Sequence, residues 1–126
     1  MSVLVDTNVI IDVLTDDPEW ADWSSRQLAR DDLDPLVINP VIYAELCYGF
    51  ASIEPVDALV RQLRLSYQEI PRAGLFRAAK AFAAYKARRA TQRSILPDFF
   101  IGGQAEVCGM PVLTRDPTRF REYFPS

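Results

Sequence analysis

Asp6, Glu45, Asp98 and Asp116 stand at places in this chain where a short apolar run ends or a helix opens. Asp6 directly follows Val3-Leu4-Val5, Glu45 lies five residues past Pro40, Asp98 follows Pro97, and Asp116 comes two residues after Val112-Leu113-Thr114. If the apolar runs are neighbouring parallel strands, their carboxyl ends open into one crevice, where α/β sheets gather functional side chains. Carboxylates brought together repel one another unless positive charge lies between them. The chain has no histidine, and the acids come without a matching set of lysines. A hard divalent cation supplies the missing counter-charge, so this set predicts Mg²⁺ or Mn²⁺ held through oxygen.

The elements that must position these acids alternate between strand and helix. A strand near 2–5 leads into a short helix from Thr7 to about Leu14, then a turn at Asp16-Asp17-Pro18 and a second helix from Glu19 to about Arg30. Leu36-Val37-Ile38 is short and β-rich, and Asn39-Pro40 supplies a capping residue with proline at the first helical position. That places Glu45 inside a helix running to about Phe50. Pro55 with Val56, Leu59, Val60 and Leu63 marks the next helix, and 66–70 reads as a strand.

Residues 73–93 are alanine-rich and predict one or two helices with Leu75, Ala79, Phe82, Ala83 and Lys86 on one stripe. Pro97 opens a helix toward Cys108, and Gly109 stops it before a strand at Val112 to Thr114. Pro117 opens a short last helix carrying Phe120, Tyr123 and Phe124. Strands separated by helices of this length predict an α/β fold whose parallel sheet is covered on both faces.

With 126 residues, the chain is expected to form a single domain over 1–126 that buries about two-thirds of its unfolded surface. No secretory signal and no apolar run of bilayer length is read in it, so a cytoplasmic location without membrane contact is expected. Cys47 and Cys108 are too far apart and too few for a zinc site, and are read as buried apolar residues. The net charge of −3 conceals an imbalance: residues 1–60 carry twelve acids and two bases, residues 61–126 five acids and twelve bases. Positions 70–97 hold Arg72, Arg77, Lys80, Lys86, Arg88, Arg89 and Arg93 with no acid among them. Such a run either solvates a helix face or holds a phosphate backbone.

Taken in series, Val-Leu-Val-Asp6-Thr7-Asn8, Ala44-Glu45-Leu46-Cys47-Tyr48-Gly49, Pro97-Asp98 and Val112-Leu113-Thr114-Arg115-Asp116 with Phe120 beyond resemble the PIN-domain ribonucleases. The small size is most similar to VapC-type toxins of bacterial toxin–antitoxin pairs. The resemblance covers nearly the whole chain and implies a PIN-like three-layer α/β/α sandwich around a central parallel sheet of four to five strands. It also implies an Mg²⁺- or Mn²⁺-dependent endoribonuclease that hydrolyses RNA phosphodiester bonds, a cognate antitoxin that inhibits it, and a homodimer. By the same likeness Asp6, Glu45, Asp98 and Asp116 are the catalytic and metal-binding quartet, Thr7 and Asn8 support the first acid, and Thr114 supplies a hydroxyl near the last. Arg88, Arg89, Arg93 and Arg115 are the candidates for holding the RNA backbone.

Simpler roles compete with these. Asp98 at a helix start and Asp116 before Pro117 stabilise helix N-termini whatever else they do, and Asn8 could be a local turn residue. An aspartyl-phosphate phosphatase would want an acid two residues after Asp6, where Asn8 stands, and a receiver module would want a lysine after the last strand. A catalytically degenerate PIN fold that binds RNA or protein, and a solitary RNA-processing nuclease, remain the alternatives. Gly102-Gly103 breaks the pattern of the helix after Asp98, because each glycine costs about 1 kcal/mol against alanine in a helix interior. The pair serves either close packing of that helix on the first strand or a helix loosened near Asp98.

Overall fold

The computed structural model describes residues 2–29, 34–87 and 96–125. In chain order these form β1 (Val3–Val5), α1 (Thr7–Leu14), α2 (Ala21–Leu28), β2 (Leu36–Ile38), α3 (Pro40–Cys47), α4 (Ile53–Gln62), β3 (Leu65–Tyr67), α5 (Arg72–Ala87), α6 (Leu96–Cys108), β4 (Val112–Leu113) and α7 (Pro117–Tyr123). The four strands make one parallel sheet in the order β3-β2-β1-β4. Helices flank it, giving the three-layer α/β/α sandwich. All three residues of β1 and all three of β2 are buried, as the continuous apolar runs of a sheet covered on both faces require. Around them pack Val9 and Ile10 of α1, Ile42 and Leu46 of α3, Val56 of α4 and Ile101 of α6.

The local rules written in prolines and polar caps are obeyed. Asn39 caps α3 through its Oδ1, which accepts the Ile42 N–H at 2.9 Å, with Pro40 next in line. Gly109 ends α6 at φ +68°, a left-handed conformation that side chains rarely adopt. Asp17 Oδ1 accepts the N–H groups of Glu19 and Trp20, both at 2.9 Å, and these bonds, Trp20 first, hold its carboxyl below the usual range. That capped turn takes up residues 18–20, so α2 begins at Ala21 rather than at Glu19.

Other expectations are corrected by packing. The third helix stops at Cys47, and β3 starts at Leu65 and ends at Tyr67, before the predicted 66–70 strand is complete. On α5 the buried face is Gly74, Ala78 and Ala81, while Leu75 faces outward at 40% exposure. Small residues win there because α5 and α6 approach closely. A Cβ on Gly103 would stand 2.5 Å from the Gly74 carbonyl oxygen and 3.0 Å from Ala78 Cβ, and one on Gly102 would enter the Phe124 ring. The glycine pair therefore serves close packing, but against α5 and the C-terminal segment rather than against the first strand, and the helix is not loosened. Over this contact lies a second apolar cluster of Phe99 with Phe82, Tyr85, Tyr123 and Phe124. Cys47 is half-buried against the core, whereas Cys108 is exposed. The predicted continuation of α5 through residue 93 lies outside the described residues.

Candidate active site

β1 delivers Asp6 to the carboxyl edge of the sheet, between β2 and β4. Its N–H donates to the Leu113 carbonyl at 2.9 Å, extending the β1–β4 ladder by one residue. At φ −68° and ψ 146° it is also the residue that caps α1, yet its carboxylate makes no capping bond. Aspartate at such a position ordinarily turns back onto the helix. Here Oδ2 accepts the Thr114 hydroxyl proton at 2.8 Å. The Thr114 oxygen in turn accepts the Asp116 N–H at 3.0 Å. One residue on, Thr7 donates its hydroxyl to Glu45 Oε1 at 2.6 Å. Asp6 and Thr7 are 3% and 5% exposed, so this dipeptide is a buried hub joining the β4–α7 turn to α3.

The structure thus connects Asp6, Glu45 and Asp116 through two threonine hydroxyls. Asp98 is placed by its helix: it lies half-buried in the first turn of α6, where the helix dipole favours negative charge. Asp116 is exposed at the start of α7 and makes no side-chain cap bond. Among the described residues no three acid, histidine or cysteine side chains stand close enough to hold one ion together. The expected convergence takes the form of a bonded string rather than a compact cluster. The donors nonetheless fit a hard cation, since all are oxygens and Mg²⁺ takes only one or two direct protein contacts while keeping several waters. Asn8 Oδ1, in the first turn of α1, is buried without a hydrogen-bond partner among the described residues. It is an oxygen suited to a cation or its hydration water.

The sequence profile of the PIN domain matches residues 3–123. The chain belongs to the PIN domain family. No curated protein matches it significantly. Among solved structures it is similar to VapBC-1 from nontypeable Haemophilus influenzae, with 21% identity and a TM-score of 0.70 over 96% of this chain and 91% of that one. DNA-bound VapBC from Salmonella typhimurium gives 24% identity and a TM-score of 0.66 over 99% and 93%. VapC20 of Mycobacterium tuberculosis, a sarcin-ricin loop cleaving toxin, gives 13% and 0.60 over 86% and 85%.

Sequence reasoning passed over two residues that brace this PIN domain from beneath. Gln104, fully buried on α6, accepts from Asn39 Nδ2 at 2.8 Å and donates to the Glu69 carbonyl at 3.2 Å. It links the helix of Asp98 to the cap of the helix of Glu45. Its signal was a lone amide in the apolar run Phe99 to Ala105. Asp12 is 2% exposed on α1 and accepts from Ser24 Oγ at 2.9 Å. Its signal was a position one helical turn beyond the buried Val9.

Of the proposed backbone-holding arginines, Arg88, Arg89 and Arg93 lie outside the described residues. Arg115 is engaged within the fold, its Nε 3.3 Å from Asp12 Oδ2 and its guanidinium 5.5 Å from the Trp20 ring centroid. Trp20 also packs edge-on against Trp23 at 5.6 Å. On α5, Arg77 pairs with Glu106 and the Tyr123 carbonyl, and Lys80 and Lys86 lie over Phe76 and Phe82. Beside Glu45 runs an apolar groove of about 430 Å³ lined by Ile11, Leu14, Leu46, Tyr48 and Phe50. Among the described residues no helix is long and apolar enough to cross a membrane.

Proposed function

We propose that this PIN domain is a divalent-metal-dependent endoribonuclease acting as the toxin of a VapC-type toxin–antitoxin pair. The observation that carries the reading is Asp6 itself. A carboxylate buried at the mouth of a parallel sheet forgoes its capping bond and is aimed by a threonine just past the end of the neighbouring strand. Asp6, Glu45, Asp98 and Asp116 would hold Mg²⁺ or Mn²⁺, directly or through waters. Such an ion makes water nucleophilic at neutral pH and takes up charge on a phosphoryl oxygen. Thr114 and Thr7 keep Asp6 and Glu45 in fixed orientation, and Asn8 offers a further oxygen.

The apolar groove beside Glu45, with Tyr48 90% exposed at its rim, supports a protein partner. A cognate antitoxin that fills it could set a lysine or arginine against the acids in place of the metal. The cytoplasm is then the place of action, and the homodimer implied by the resemblance is read by light scattering.

Purified protein is expected to cleave RNA with Mg²⁺ or Mn²⁺ and to stop with EDTA. Asp6→Asn should lower the rate by roughly two orders of magnitude or more, the scale on which single active-site groups act. Exposed Glu54→Gln should leave it unchanged. Cleavage indifferent to EDTA sinks the reading, and RNA retained without products favours a binding module.

A further inference from the structure

Asp12 is a buried carboxylate that the proposed chemistry does not use. Three elements meet on it: α1 carries it, Ser24 of α2 donates to its Oδ2, and Arg115 of the β4–α7 turn stands 3.3 Å from the same oxygen. The Arg115 Nε–H is buried and finds no aligned acceptor, so the contact is an ion pair rather than a directed hydrogen bond. The guanidinium face rests on Trp20, a stacking that arginine makes and lysine does not reproduce. A buried charge is tolerated only when paired. Without Arg115 the buried Asp12 carboxylate keeps Ser24 as a donor but loses its paired charge, and without Asp12 the Arg115 side chain, a third exposed, loses the carboxylate that holds it while still feeling Asp17.

The place of this pair gives it a consequence. Arg115 lies between Thr114, whose hydroxyl donates to Asp6, and Asp116, whose N–H closes on that hydroxyl. Its neighbours on both sides thus belong to the site, while its own side chain points to α1 and α2. We propose that the Asp12–Arg115 pair is a positioning element that locks the Thr114–Asp116 turn against Asp6, and that Arg115 acts through that turn rather than on the RNA backbone. The effect on cleavage rests on the nuclease reading; the order of the turn does not.

The test compares Asp12→Asn, Arg115→Gln, Arg115→Lys and the double variant Asp12→Asn/Arg115→Gln. Two readouts are taken: steady-state cleavage of an RNA oligonucleotide with Mn²⁺ across a salt series, and hydrogen exchange of the Asp116 amide. Asp12→Asn and Arg115→Gln should each lower kcat by about 10- to 100-fold, as loss of a group supporting a site residue does, with KM within about twofold and the salt slope unchanged. The double variant should be no worse than the poorer single one. The Asp116 amide should exchange at least about tenfold faster in Asp12→Asn and in Arg115→Gln, the loss expected when a fixed turn opens. Arg115→Lys keeps the charge and gives a folded variant should the others unfold. It should show the same kcat-specific loss in milder form.

A rise in KM with a shallower salt slope for the arginine variants, and wild-type behaviour for Asp12→Asn, would make Arg115 an RNA ligand and overturn the proposal. If the wild type cleaves no RNA, the nuclease reading fails separately. The amide then decides alone, and unchanged protection in Asp12→Asn and in Arg115→Lys overturns the pair's role.

Discussion

A threonine hydroxyl has one proton to give, and at Thr114 the Asp116 N–H occupies the oxygen in a way that leaves this proton for Asp6. Thr114→Ser keeps that arrangement, whereas Thr114→Val removes the donor to Asp6 and the acceptor for Asp116 at almost constant volume. Thr114→Val is expected to cut activity by about 10- to 100-fold and Thr114→Ser by far less, as initial rates at saturating metal will show. Equal rates for Thr114→Val and wild type would remove Thr114 from the site. Asp6, Asp98 and Asp116 stood out in the sequence because each lies beside a strand end or a proline, whereas Glu45, inside a helix, and Thr7 and Thr114 were named with the help of the family likeness. Asp12 did not stand out, because a single acid inside an apolar helix reads as an outward-facing break until its partner is known. That partner, Arg115, is far away in sequence and was legible only as a cation.

Helices and strands were legible in proportion to their punctuation. Asn39-Pro40, Pro97, Gly109 and Pro117 set element ends that the structure keeps. Within α5 no such mark exists, and the predicted stripe is split by the structure, Leu75 facing outward while Phe82 packs on Phe99. The real contact is made by Gly74, Ala78 and Gly103, residues whose value lies in what they lack. Gly103→Ala sets two opposing effects against each other. Alanine gains about 1 kcal/mol of helix propensity, but its methyl group meets backbone on α5, and overpacking of this kind costs about 1–3 kcal/mol. Because the nearest atom is a carbonyl oxygen 2.5 Å away, the clash should win, and urea denaturation should show a net loss of about 1–2 kcal/mol. A variant more stable than wild type would mean that α5 can move away at little cost.

For the whole molecule, one contribution to alkaline stability comes from a tyrosine that bridges two helices. Tyr43 of α3 donates to Asp57 of α4 at 2.7 Å, and this bond, with burial and the neighbouring charge, pushes its pKa from 10.0 up to about 12. The unfolded chain therefore loses this proton first. The stabilisation is complete below the unfolded pKa of 10 and declines as pH rises through about 12. Thermal melts of wild type and Tyr43→Phe should show a gap that narrows across this interval, and a gap constant with pH would place the cause elsewhere. The sandwich and its parallel sheet were legible from alternation alone, but the span of its closing contact was not. Asp6 and Thr114 are 108 residues apart, with β1 at the centre of the sheet and β4 at its edge. At a synthesis rate of roughly 5–20 residues per second, the hydroxyl leaves the ribosome roughly 5–20 seconds after the acid it orients. A nascent chain therefore exists for that interval with Asp6 made and β4 missing, so the bond that orients Asp6, and any chemistry that depends on it, waits for the strand that carries the chain to Thr114.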